Sequence, residues 1–410
     1  MTARFSLSLL VLGLLAPVLL ATQALAIPAF SRQYKTECTT CHTIFPERNE
    51  FGDAFEKNSF VWPKELPATA PPEQAPTPAA DSPLVHLAKG ADALFNSGLP
   101  DPLPLSIMAT YRMIYNEDKQ PNFDLDGGTG MELFAGGNFH NQVGFWGEYG
   151  FGSSSIGDLS VQFRHFYGTP LNIKFGKFKP KLSLWKSNDR SSLSGFGHNS
   201  MRVGDNPFRL SGRQSAVELN AVLGSRLFAA AGVTNGSETN KAENKKNYYA
   251  HLSARIGGTD FLGQEPEVDL DQDSVWDFLT LTFGTFGYLG SSDFGANDFY
   301  RLGLEGELLY QRLKIRLHGT FGEDDDPSGT GGSVKFHFYL GQAQYLIGSD
   351  LIPAFRYEYQ DIEGTDITQR FIPSISYAYL QNLRMVLEYV HTEAPTGTSK
   401  AGTFQVALSF

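Results

Sequence analysis

The sequence predicts an all-β chain, an outer-membrane antiparallel β-barrel of about 16 strands, with a small helical segment in front of it. Three observations carry this. From about residue 104 the chain runs in stretches of 9–12 residues in which every second side chain is apolar. The connections between those stretches alternate between long and very short. The chain also stops on an aromatic residue, Phe410, with Phe404, Val406 and Leu408 alternating behind it. An aromatic content of 13% suits the girdles that flank a barrel's apolar band. The net charge of −11, with no basic block to offset it, argues against a nucleic-acid partner.

Residues 1–26 read as a signal peptide. Arg4 precedes an apolar run from Leu7 to Leu20, and Ala24 and Ala26 give the small-residue pattern of a cleavage site. The run is shorter than the roughly 20 residues a membrane helix needs. Residues 27–60 follow as a segment that carries Cys38-Thr39-Thr40-Cys41-His42, the C-x-x-C-H of c-type haem attachment. Two thiols at this spacing add to the two haem vinyl groups, and the adjacent imidazole binds the iron. The chain has only these two cysteines, too few for a disulfide framework. A redox C-x-x-C site expects a βαβ context, and zinc expects four ligands where three are local. The motif therefore predicts one covalent haem c, with Cys38 and Cys41 as anchors and His42 as the proximal iron ligand. For the sixth ligand, His86 is a candidate, beside a residue from the barrel lumen or an open position. Residues 47–60 suit a short amphipathic helix whose Phe51, Phe55 and Phe60 cover one haem face. A segment this short needs the haem and a neighbour to be stable.

Residues 61–103 form a proline-rich linker of extended character. The barrel occupies 104–410. Leu313, Ile315 and Leu317 alternate with Lys314, Arg316 and His318, and Leu383, Met385 and Leu387 alternate with Arg384 and Glu388. In a membrane barrel the apolar set meets lipid and the polar set lines the lumen. Long outer connections are expected at 116–128, 179–213, 235–246, 289–298, 322–332, 361–369 and 393–401, with short turns between them. The connection 257–276 is long but falls on the short-turn side, which means either that a strand is miscounted there or that the loop has a task of its own. The loop 179–213 carries Lys181, Lys186, Arg190 and His198 and is expected to fold inward, lining an anion path or packing on haem propionates. Acidic residues at Glu117, Asp118, Asp124 and Asp126, and from Glu323 to Asp326, read as solvated outer loops that also concentrate cations. Asp269, Asp271 and Asp273 alternate as in a Ca²⁺ loop but lack its Gly and terminal Glu.

Taken together, the run from Ile27 to Phe55 followed by a barrel resembles the fused monohaem cytochrome–porins of bacterial outer membranes. Pro28-Ala29-Phe30, Arg32-Gln33, the haem motif, Phe45-Pro46 and Phe51-Gly52 fit the family's pattern, while Glu50 and Phe60 depart from it. Residues 175–185 are also similar to the strand end of phosphate-type porins. The resemblance implies an electron conduit of the ferrous iron:cytochrome oxidoreductase type. Its haem would sit in the lumen or on the periplasmic side, between an extracellular metal-ion donor or acceptor and a periplasmic carrier such as a soluble cytochrome. The competing expectations are a selective diffusion porin with an accessory haem, and outward electron delivery.

Overall fold

The computed structural model describes residues 29–63, 104–127, 130–236, 245–266, 278–292, 297–365, 367–379 and 381–410. The signal segment, nearly all of the linker with His86, and Asp269, Asp271 and Asp273 lie outside the described residues.

From Leu105 onward each strand pairs antiparallel with the next, and Gly397–Ser409 closes on Leu105–Asn116. Phe123–Gly127 pairs with the outer half of that first strand and Glu132–Phe139 with its inner half. These two segments share one place in the wall, so the closed barrel has 16 strands. Closure satisfies every ladder group without an exposed edge, the condition for backbone in hydrocarbon.

The period-two pattern sorts the faces. Leu304 is 60% exposed and Leu317 59%, whereas their neighbours Glu305 and His318 are 5% and 3% exposed. The outward set forms the apolar exterior that lipid covers. Tyr115, Tyr248 and Tyr300 stand near its long-loop rim, and Tyr345, Tyr379 and Phe410 near its short-turn rim.

Several strands outrun the expected ends. Leu383–Ala394 and Gly397–Ser409 continue pairing through His391 with Lys400 and Thr392 with Ser399, so the expected loop 393–401 is a tight turn. Likewise Leu313–Asp324 takes in the start of the acidic run. The ladder needs only backbone groups, so it extends past the bilayer, where nothing enforces apolar alternation. Asp324 is consequently no loop residue. It is fully buried, 2.7 Å from Arg301.

The lumen is filled from both ends. The loop 179–213 folds inward, as expected, and its Trp185, Phe196 and Leu182 are buried against the wall. Residues 29–63 occupy the short-turn end.

Candidate functional site

The N-terminal segment is built from a short helix, Ala29–Tyr34, a 3-10 turn at Cys38–Thr40, a small hairpin (His42–Ile44 with Glu47–Arg48) and a second helix, Glu50–Lys57. Asn49 caps the second helix by accepting a hydrogen bond from Gly52 N at 2.9 Å. Its Nδ2 donates to the Thr39 and Thr40 carbonyls, both at 3.0 Å, and so ties the helix start to the cysteine motif. Glu50 and Asp53 in the first turn and Lys57 in the last suit the helix dipole. At Gly52 the helix backbone meets the motif directly: a Cβ there would lie 2.0 Å from Cys41 O. No larger residue permits that approach. The packed segment runs on to Pro63, past the expected boundary at residue 60, and Val61 is fully buried.

Buried ion pairs hold this segment in the barrel. Glu47, fully buried, accepts from Lys314 at 3.0 Å and from Gln344 at 2.9 Å, and lies 3.2 Å from Arg316. Arg48 meets Asp189 of the inward loop at 2.8 Å and also pairs with Glu56, which in turn pairs with Lys186. Asp53 pairs with Lys57 and lies 3.0 Å from Arg255. Burial opposes the charge on Asp53, but the cations around it, Lys57 and Arg255 foremost, hold its carboxyl well below the usual range. Removing one partner from such a buried pair costs about 3–5 kcal/mol.

Uncharged contacts complete the seat. Cys38 N donates to Gln381 Oε1 at 3.1 Å, and Gln162 Nε2 donates to Ser59 Oγ at 2.7 Å. The unexpectedly long connection after Asn247–Ile256 has a task here. Asn58 Nδ2 donates to Phe261 O at 2.7 Å, Gln264 Nε2 donates to Pro63 O at 3.4 Å, and Lys57 lies over the Phe261 ring. Residues 258–264 are thus a strap across the docked segment.

Cys38, Cys41 and His42 line one cavity at this end of the lumen, with about 1580 Å³ of empty volume including its open mouth. The two cysteines are free thiols. Burial, and then the proximity of Cys38, pushes the Cys41 thiol up to about 12. Burial lowers His42 to about 4, leaving a neutral imidazole, and its Nδ1 is buried without a hydrogen-bond partner. Phe30, Phe55, Phe60 and Trp146 supply an aromatic wall: Phe30 stacks on Phe60 at 5.1 Å and on Trp146 at 6.4 Å. Lys179 and Lys186 border the cavity, and burial lowers Lys179 to about 8. Free thiols, a neutral imidazole, flat apolar walls and nearby cations fit a covalently held porphyrin with two propionates. Among the described residues, no group of three or more His, Cys, Asp or Glu is arranged around one point to hold a metal ion directly.

The three motif residues thus line one cavity, with Phe55 and Phe60 beside them. Phe51 does not line the cavity but packs on Trp62 at 5.0 Å. Of the charges that face the lumen, Lys314 and Arg316 hold the N-terminal segment, while Arg356, Arg384 and Glu388 hold the inward loop. Glu388 accepts from Leu193 N at 2.7 Å and Ser194 N at 2.8 Å, and Arg356 donates to Ser192 Oγ at 2.9 Å. Glu218, Glu305 and Glu358 are likewise buried. The sequence reading missed the docking role of Glu47, Arg48, Asp53 and Glu56. Its one available signal was the density of carboxylates on a segment facing a lumen that carries several Arg and Lys.

The barrel is similar to solved porins. The anion-selective porin from Comamonas acidovorans superimposes with a TM-score of 0.57 at 10% identity, over 75% of this chain and 98% of that one. OmpT of Vibrio cholerae gives 0.51 at 13% identity, over 75% and 97%. The outer-membrane channel DcaP of Acinetobacter baumannii gives 0.51 at 13%, over 75% and 96%. No protein-family model matches the chain. No curated protein matches it either. Likeness at this identity defines the class of fold, the 16-strand outer-membrane porin barrel.

Proposed function

We propose that the protein is an outer-membrane electron conduit, joining an extracellular donor, ferrous iron, to a soluble periplasmic cytochrome. One haem c would be held by Cys38 and Cys41, with His42 on its iron, and would supply a one-electron centre. The observation that carries this reading is the docking of the C-x-x-C-H segment within the barrel, its thiols and imidazole lining one aromatic cavity. The chain's own part is positioning and insulation. Glu47, Arg48 and Asp53 lock the segment in place, and Phe30, Phe60 and Trp146 exclude water. Toward the outer mouth the inward loop fills the lumen with rings: Trp185 and Phe196 at 6.1 Å, and His198 stacked on His318 at 3.8 Å. These rings narrow the lumen of a barrel that is otherwise built as a diffusion porin is.

Reconstitution tests it. Fe²⁺ added outside proteoliposomes should reduce a membrane-impermeant oxidant trapped inside, and Cys41→Ala or His42→Ala should abolish this. Solute leakage without electron transfer would instead establish a diffusion porin. Reduction from a trapped donor to an external acceptor, with none inward, would reverse the direction.

A further inference from the structure

We infer that Met108 of the barrel wall would be the second protein ligand to the iron of the bound haem, with His42; the inference rests on the haem reading above. Met108 belongs to the strand Leu105–Asn116, whose odd-numbered Tyr111, Met113 and Tyr115 are the exposed, lipid-facing set. The period of two turns Met108 inward. It is paired with Ser409 on one side and Glu132 on the other, and all three line the cavity shared by Cys38, Cys41 and His42.

Ligand chemistry narrows the choice. Among the described residues lining this cavity, Met108 is the only methionine and His42 the only histidine. Met201 packs instead against Phe336 and Val203. A thioether on an unbranched, flexible side chain is a soft donor able to reach across an irregular gap. Met paired with His is an iron ligation known from c-type cytochromes and raises the reduction potential.

The segment is also pinned to this strand close to Met108. Arg32 of the segment donates to Leu105 O, and the strand itself is fixed to the last one by Phe410, which exchanges hydrogen bonds with Ile107 at 2.6 and 2.9 Å. Motif and methionine thus keep one relative position. The iron would then link the N-terminal segment to the barrel, beyond the ion pairs.

The test is spectroscopic and needs no turnover. The oxidised, haem-loaded protein should be low-spin with the far-red sulfur-to-iron charge-transfer band of methionine ligation. Met108→Leu should lose that band, lower the midpoint potential and bind added imidazole or cyanide that the parent excludes. Met108→His should stay low-spin without the band, and keeps the test decisive if the leucine variant folds poorly. Met113→Leu, on the lipid face of the same strand, should change nothing. A band that persists in Met108→Leu, or is absent from the parent while the covalent haem spectrum is intact, overturns the assignment of Met108 and leaves the haem reading standing. Absence of any Soret absorption overturns the haem reading itself.

Discussion

His42, Asp53 and Asp189 all resist protonation where they sit, each for its own reason. Burial holds His42 at about 4 against an ordinary value of about 6.5. Burial works against the charge on Asp53 and Asp189, but cations outweigh it, Lys57 for one and Arg48 for the other. A group that binds protons more weakly when docked makes docking weaker as pH falls. In the haem-free Cys38→Ala/Cys41→Ala chain, His42 should withdraw support between about pH 6.5 and 4, by at most about 3 kcal/mol, and the two carboxylates below about pH 4. Protease protection of residues 29–63 should therefore fall steadily from pH 7 to 3. Protection that is greatest in acid would refute these assignments. None of the three environments was legible in sequence, because each depends on residues brought in from elsewhere. Arg255 is 202 positions from Asp53, and Asp189 is 141 from Arg48.

Among the elements, strands were legible and their partners were not. Leu304 beside Glu305, and Leu317 beside His318, announce two faces in four residues, since period two is a local property. Strand ends were less clear, as at His391 and Lys400, where pairing continues without apolar side chains to mark it. The inward fold of 179–213 was expected, but not what secures it. Glu388 receives the Leu193 and Ser194 amides and the Ser194 hydroxyl. Glu388→Ala leaves those donors unpaired in the lumen and should loosen the loop by about 2–5 kcal/mol. In planar bilayers the variant should conduct small ions more than the parent. Equal conductance would mean that the loop is not what narrows the lumen.

At the scale of the molecule, the N-terminal segment and the barrel meet through buried charge beside the aromatic contact of Phe30 and Phe60 with Trp146. Glu47 is the centre of that contact, facing Lys314, Arg316 and Gln344. Glu47→Ala takes the carboxylate from buried Lys314, while Arg316 keeps Glu307, and should weaken docking by about 3–5 kcal/mol. The segment should then be cleaved by protease while the barrel keeps its heat-modifiable mobility on gels; joint loss of both would show that they fold as one unit. The two-part organisation was legible from the C-x-x-C-H motif and the alternation. The seat between the parts was not, since Glu47 and Lys314 are 267 positions apart.

The cavity straddles the seam where chain end meets chain start: Ser409 and Gln381 contribute one flank, Met108 and Glu132 the other. Its wall is therefore completed only when the final strand zips onto the first. During biogenesis a half-inserted barrel offers no finished pocket, so closure of the cavity reports that membrane assembly has ended, and a C-terminal truncation would forfeit both together.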